Sequence, residues 1–512
     1  MATGGSRGPM SRRRFLSLTT GAGAGFVLAG GALSACTPGS TSGGGDASKL
    51  VIGTSITTET LNPLDKQYAT FQFNAFDALV RQLRGQTEAE PRLAESWTQV
   101  DDTTWDFKLR QGATFHDGTP VTAQDVAFTY SEVLDKQYAN ATTIISIGSV
   151  TAVDASTVRI VTKRPDPLLL NAVGQIFVVP AAYWKKVGAD GFSAAPIGSG
   201  PYKITSFSPD TGIQFEAYQG FWGDKAATAA VELRFFSANT ALAAAFEAGE
   251  IDAAHELPST AIKTLAGGTN KVTAEVSGSQ NMFQFNTTKG PFKDLRVRQA
   301  AVAAVDVKAL LTALTDGAGD LEDGQLPLKG VNGYAESITR PAYDPERAKS
   351  LLTEAGATGA EITISGMALF KSLLEAIGGQ LDAVGFKTTI KANETAVWVQ
   401  EFKNGSDADI FYRGASYTGV FDANRPFQFV SFGAKPAVKD DKWTQLFQAS
   451  RTEMDPEARR TKLAACSEYL QQQAYILWTY GRPSVNAVTP AVKDLDFTNG
   501  LVLLLDPITK TA

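Results

Sequence analysis

Two thiols, Cys36 and Cys466, and two imidazoles, His116 and His255, are the whole supply of soft nucleophiles and metal ligands in 512 residues. A zinc or iron centre gathers three or four such groups, and a disulfide framework needs more cysteines than these. His116 stands in Phe115-His116-Asp117-Gly118, a turn, and His255 in Ala254-His255-Glu256; neither has a second ligand beside it. Both read as structural imidazoles before they read as ligands. Ile197-Gly198-Ser199-Gly200-Pro201 lacks the spacing of a Gly-x-Ser-x-Gly nucleophile elbow. No Gly-x-x-x-x-Gly-Lys loop and no Gly-x-Gly-x-x-Gly turn offers its amides to a phosphate. Acid pairs of the kind that hydrolyse glycosides are available among 53 Asp and Glu, as in almost any chain. What remains is hydrogen bonding, ion pairing and aromatic contact. No catalysis, metal or cofactor is expected; binding is.

The N-terminal residues carry a different chemistry. Ser11-Arg12-Arg13-Arg14-Phe15-Leu16 precedes a stretch without charge, Thr19 to Ala32, rich in Gly, Ala and Leu. A basic segment before an apolar one is the layout of an export signal, and the paired arginines with Phe and Leu resemble the twin-arginine consensus. The alternative is a membrane anchor, for which Gly and Ala supply little transfer energy. Leu33-Ser34-Ala35-Cys36 resembles a bacterial lipobox, in which cleavage precedes a cysteine whose thiol carries a diacylglyceryl group; the alternative is an incidental cysteine. Each buried methylene contributes about 0.8 kcal/mol, so several acyl chains anchor stably. The expectation is a signal peptide over residues 1–35 and a lipid-anchored linker over 36–48, with Cys36 the lipidation site. The Gly/Ser-rich linker would hold the rest roughly 20 Å from the bacterial cell membrane, outside the cytoplasm.

The net charge is −6, and cleavage would remove Arg7, Arg12, Arg13 and Arg14 but no acid. An acidic chain without long basic runs is a poor ligand for nucleic acid. Beyond the linker no run of 18 apolar residues occurs, and Cys466 falls in a helical pattern as an inert core thiol.

From Lys49 onward strand-like and helix-like segments alternate irregularly. Leu50-Val51-Ile52-Gly53, Trp105 to Leu109 and Thr157 to Thr162 have strand character. Thr122-Ala123-Gln124-Asp125 reads as a capping box, and Asp344-Pro345-Glu346 and Asp455-Pro456-Glu457 place a capping acid before Pro at the first helical position. A mixed α/β chain follows, without a repeat of 20–50 residues.

Leu93-Ala94-Glu95-Ser96-Trp97, then Phe107-Lys108-Leu109-Arg110, then Phe115-His116-Asp117-Gly118-Thr119-Pro120-Val121-Thr122-Ala123-Gln124-Asp125-Val126 form an ordered signature. It is followed by Gly198-Ser199-Gly200-Pro201-Tyr202, Gly249-Glu250-Ile251-Asp252, Phe285-Asn286, Arg296-Val297-Arg298-Gln299-Ala300 and Tyr343-Asp344-Pro345-Glu346. The series resembles the extracytoplasmic solute-binding proteins of ABC importers, family 5, the dipeptide/oligopeptide type, across about residues 50–500. The resemblance implies an α/β, two-lobed periplasmic-binding-protein fold (type II) with an extra subdomain in the first lobe and a hinge. Lobe I would comprise 49–90, 191–280 and 481–512, the extra subdomain 91–190, and lobe II 281–480. It also implies a peptide or similar small solute held between the lobes, an ABC permease with its ATPase subunits as partner, and a monomer. A solute-sensing co-receptor on the same fold is the alternative; a secreted hydrolase lacks its nucleophile motif.

Peptide-binding members hold the ligand's α-amino group with an Asp in an aromatic loop of the second lobe. The corresponding stretch here runs from Asp409 to Asp422, but Ala415 stands where Trp is usual and Asp422 precedes Ala423 in place of Pro. Peptide specificity therefore stays open. The ligand-binding candidates are Asp422 for an ammonium, Arg413 for a carboxylate, and Trp398, Tyr417 and Phe421 as aromatic walls. Thr58 and Glu59 follow the first strand, and Asn281 and Phe283 lie toward the hinge. Asp422 as a solvated loop acid, Arg413 in an ion pair and Trp398 as helix core are the competing readings.

Overall fold

Lys49–Thr54 opens the described part of the chain as a strand, with Leu50 and Ile52 turned fully into the core. The computed structural model describes residues 49–65, 69–83, 86, 88–265, 268–416, 422–498 and 502–511. The expected signal segment over residues 1–35, the expected linker over 36–48 and Cys36 lie outside these residues. The opening strand pairs in parallel with Ala230–Phe235 on one side and Ala253–Leu257 on the other. Together they form the middle of an eight-stranded sheet ordered 415–416, 271–280, 481–488, 253–257, 49–54, 230–235, 212–217 and 202–208. Parallel neighbours need long connections. One of them carries an antiparallel four-stranded sheet, ordered 94–99, 104–109, 157–162 and 147–152.

Helix Ala123–Lys136 belongs to that insertion. Its capping box is formed: Asp125 donates its amide to the Thr122 hydroxyl at 3.3 Å, and the Thr122 amide reaches the Asp125 carboxylate at 3.0 Å. Val126, Tyr130 and Val133 then bury one face completely, at the spacing of a helical stripe. Gly198 and Gly200 press against the backbone of residues 74–76, where a Cβ on Gly198 would fall inside the Ala75 carbonyl. The Gly-x-Gly spacing is set by that close approach.

A second sheet of five strands follows the order 387–393, 361–367, 410–412, 283–285 and 476–477. Asp344 and Asp455 cap helices Pro345–Glu354 and Pro456–Gln472 through the amides of Arg347 and Ala458, as the Asp-Pro-Glu spacing predicts. Cys466 lies on the buried face of the second of these helices, and burial raises its thiol pKa to about 12. Separate apolar cores serve the two sheets, and the fold is the two-lobed one. Among the described residues no helix is long and apolar enough to cross a membrane.

The sheets are joined by strands that continue from one into the other. Lys271–Gln280 of the large sheet is followed, after Asn281 and Met282, by Phe283–Phe285 of the small one. Ile476–Leu477 returns through residues 478–480 to Gly481–Val488. The two passes are antiparallel partners in both sheets. A third pass runs from Ile410–Tyr412, paired to Phe283–Phe285, to Ala415–Ser416, paired to Ser279 and Gln280. Asn281 knits the passes where they cross: its amide donates to the Tyr480 carbonyl at 3.4 Å, while its side-chain oxygen accepts from the Tyr412 hydroxyl at 3.3 Å. Its own carbonyl accepts from the Thr479 hydroxyl at 2.5 Å.

Candidate functional site

Beside these crossings lies a cavity of about 300 Å³, a size suited to a small solute. Ser279 and Gln280 reach it from the outgoing pass, Arg482 from the return, and Tyr412, Arg413 and Gly414 from the third. Helix Thr395–Asn404 contributes Trp398 and Phe402, one turn apart on one face, and helix Asn424–Val430 contributes Arg425 and Phe429. The Trp398 indole is fixed by a 2.8 Å bond from its N–H to the Tyr412 carbonyl. Phe402 lies edge-on to Phe429 with ring centroids 5.4 Å apart. Trp398, Phe402, Tyr412, Phe370 and Phe429 give the cavity an aromatic side.

Arg413 carries the electrostatics. The residue is 3% exposed, its Nε donates to the Gln284 side-chain oxygen at 2.5 Å, and Nη2 donates to the Phe432 carbonyl at 3.1 Å. Its guanidinium also lies over the Phe402 ring, 5.1 Å from the centroid. Nη1 is buried and has no hydrogen-bond partner. Among the described residues no carboxylate forms an ion pair with it, and burial pushes its pKa down to about 10. Arg482 has Glu256 at 3.6 Å.

A second cavity, about 260 Å³, meets the first at Gln280 and has the opposite charge: Asp320, Glu322 and Asp323 line it, with Lys329 and Tyr334. Glu322 is 4% exposed, and only one of its carboxylate oxygens is bonded, at 3.3 Å to the Thr479 amide. Burial raises its pKa to about 8, against the attraction of Arg340.

A third and larger cavity, about 600 Å³, opens between Trp97, Leu168 and Asn171 on one side and Asn332, Asp422 and Arg459 on the other. Asp422 has no free capacity there. Its two oxygens accept from Arg459 at 2.6 and 2.8 Å, from Asn332 at 2.8 Å and from the Asn424 amide at 2.9 Å. Both members of the ion pair are nearly sealed from solvent. That corrects the ammonium-clamp expectation: Asp422 is neither a clamp nor a solvated loop acid, but a buried structural anion.

Other expected contacts also move into the framework. Phe283 is fully buried in the small-sheet core, edge-on to Tyr412 at 5.3 Å, and so is no cavity wall. Asn281 holds the crossing with all its hydrogen-bonding groups engaged. Thr58 is buried and donates to the Thr60 carbonyl at 2.8 Å, whereas Glu59 is exposed; neither lines a cavity described here. Trp398 and Arg413 do come together in one cavity. Tyr417 and Phe421 fall outside the described residues. Sequence reasoning missed Arg425, Arg482 and Phe402; the Trp398 to Phe402 spacing was the one local signal available. His116 accepts from the Gly198 amide on Nδ1 and faces the Gly200 carbonyl with Nε2 at 3.0 Å, a neutral imidazole whose burial lowers its pKa to about 4. Among the described residues no cluster of three metal-ligating side chains exists.

Comparison with known proteins agrees with this architecture. The profile of the bacterial extracellular solute-binding proteins, family 5 (middle region), matches residues 88–435. The heme-binding protein A of Haemophilus influenzae is 31% identical over 55% of this chain and 56% of its own length, so the chain spans little more than half of that relative. The di/tripeptide-binding protein 1 of Pseudomonas aeruginosa is 27% identical over 75% of this chain and 80% of its own. The crystal structure of NikA from Brucella suis in complex with Fe(III)-EDTA superposes with a TM-score of 0.82 at 22% identity, covering 90% of this chain and all of that one.

Proposed function

The chain belongs to the bacterial extracellular solute-binding proteins of family 5, and from that premise we propose that it captures a peptide or similar small solute beside the strand crossings and delivers it to an ABC permease and its ATPase subunits. The observation that carries this reading is the aromatic cavity at the crossings, built from all three passes between the sheets. A ligand touching both sides of such a junction favours the closed arrangement by the difference in its affinity for the two states. Closure then marks the loaded protein for the permease. Lobe I in this reading comprises 49–90, 191–280 and 481–512 with its insertion at 91–190, and lobe II comprises 281–480. The molecule acts as a monomer. Export through the twin-arginine segment and anchoring by lipidated Cys36 belong to the same proposal, supported by the motifs around Arg12-Arg13 and Cys36.

Titration of the purified chain with di- and tripeptides, oligosaccharides and metal chelates, followed by thermal unfolding, tests it. A ligand at 100 times its Kd stabilises by about 2.7 kcal/mol and raises Tm accordingly. A Tm rise with recovery of the unaltered solute is expected; conversion of the solute to a product would overturn the reading. For the anchor, Cys36→Ser should move the protein from the membrane fraction to the soluble one.

A further inference from the structure

The aromatic side of the cavity at the crossings is an unbroken chain of rings. Centroid to centroid, Phe370 lies 4.6 Å from Tyr412, Tyr412 6.4 Å from Trp398, and Trp398 5.3 Å from Phe402. Phe402 in turn lies 5.4 Å from Phe429, and 5.4 Å from Phe432, which carries the chain past the cavity. Core aromatics are sealed, as Phe283 is. Phe370, Trp398, Phe402 and Phe429 are only half-buried, and Phe432 keeps 38% of its surface exposed. Leu369 lines the same cavity and is 76% exposed. Contiguous apolar surface left in water marks a binding site.

The polar groups around these rings are spent on the protein itself. The Trp398 N–H goes to the Tyr412 carbonyl and the Tyr412 hydroxyl to Asn281. Arg413 gives Nε to Gln284 and Nη2 to the Phe432 carbonyl, Arg482 stands beside Glu256, and Gln280 and Arg425 are engaged elsewhere. A sugar or a metal chelate would bury polar groups of its own against few open partners, at a cost. What the lining offers is carbon. Topology aims the cavity as well. Strands Glu361–Met367 and Ile410–Tyr412 run parallel, and Met367 and Tyr412, at their carboxyl ends, both line it. From Glu361–Met367 the chain pairs Lys387–Asn393 on one side and then crosses to place Ile410–Tyr412 on the other. Ligands of parallel sheets sit outside the carboxyl ends of the strands at such a reversal. We propose that this cavity holds an uncharged aromatic ring of the captured solute, the side chain of a peptide or the body of a small amide, with Trp398 and Phe402 as its principal contacts. About 300 Å³ is room for one ring and its attachment. This rests on the solute-capture reading and narrows it to solutes that carry such a ring.

The test varies the ring and holds the rest of the solute constant, on the full chain. The dipeptides Ala-Phe, Ala-Tyr and Ala-Trp are titrated by calorimetry beside Ala-Ala and Ala-Ser, and phenylacetamide beside acetamide. Oligosaccharides and metal chelates are run in parallel. Each ring-bearing solute is expected to bind at least about tenfold more tightly than its small counterpart, which burial of one aromatic ring can supply. Phe402→Ala should take more affinity from Ala-Phe than from Ala-Ala and so narrow that ratio at least about threefold. Should this half-buried variant fail to fold, Leu369→Ser at the exposed edge should narrow the ratio in the same direction. Equal affinities with and without the ring, or a ratio that a folded Phe402→Ala and Leu369→Ser both leave intact, overturns this inference while solute capture stands. Binding of oligosaccharides or chelates alone does the same. If no solute of any class binds, both fall.

Discussion

At the scale of single residues, the environment of a charged group decides its role. Asp422 and Arg413 are both buried, yet one is saturated by four hydrogen bonds and the other keeps a bare Nη1. Asp422→Ala leaves the Arg459 cation buried without its partner, so it should cost about 3–5 kcal/mol in urea unfolding. Solute affinity of the folded fraction should be unchanged, which a role in clamping an ammonium would contradict. Two groups give the stability a pH dependence of opposite sign. The His116 pKa falls from 6.5 to about 4 on folding, so the unfolded chain takes up its proton first. Its contribution is full above 6.5 and is lost as pH falls toward 4. The Glu322 pKa rises from 4.5 to about 8, so its contribution is full below 4.5 and is lost as pH rises through 8. Glu322→Gln should therefore flatten the alkaline side of the stability profile measured by urea titration at successive pH values. An unchanged alkaline slope would show that other groups set it.

At the scale of elements, local chemistry was readable wherever the reason for a residue lies within four positions of it. The Thr122–Asp125 box and the Asp-Pro-Glu caps are of that kind, and each formed as the spacing predicts. Thr122→Ala should lower stability by about 1 kcal/mol, read as a fall in the urea midpoint. Gly198→Ala should cost more, at least about 2 kcal/mol, because the added methyl meets backbone and no flexible side chain can yield. Equal midpoints for the two variants would argue against the tight approach of residue 198 to Ala75. The site itself was mostly illegible for the opposite reason. Arg459 stands 37 residues from Asp422, and Phe283 and Phe402 are the same residue type with opposite placements, one in the core and one at the cavity. Only the pairing of distant strands separates those cases. The signature motifs, in turn, identified the fold through turns, caps and core aromatics, and so they named the family without naming a ligand contact.

At the scale of the molecule, three passes crossing between two sheets, knitted by Asn281, restrict relative motion of the sheets to bending and twisting about one narrow band. Saturating solute should reduce the radius of gyration in small-angle scattering, and an unchanged radius across the binding range would refute hinge closure. Another long-range contact has a consequence for the time order of folding. Asn74 receives the Leu505 amide at 2.8 Å and donates to the Leu503 carbonyl at 2.7 Å, while Lys510 reaches back to the carbonyl of Lys49. The first-built half of the large sheet is thus finished by residues made more than 400 positions later, beyond the whole of the five-stranded sheet. On the ribosome the middle of the chain can fold as it emerges, but the beginning must wait for the end. The export route proposed for the Arg12-Arg13 segment carries folded cargo, and so fits a chain whose first described strand is tied down by its last residues.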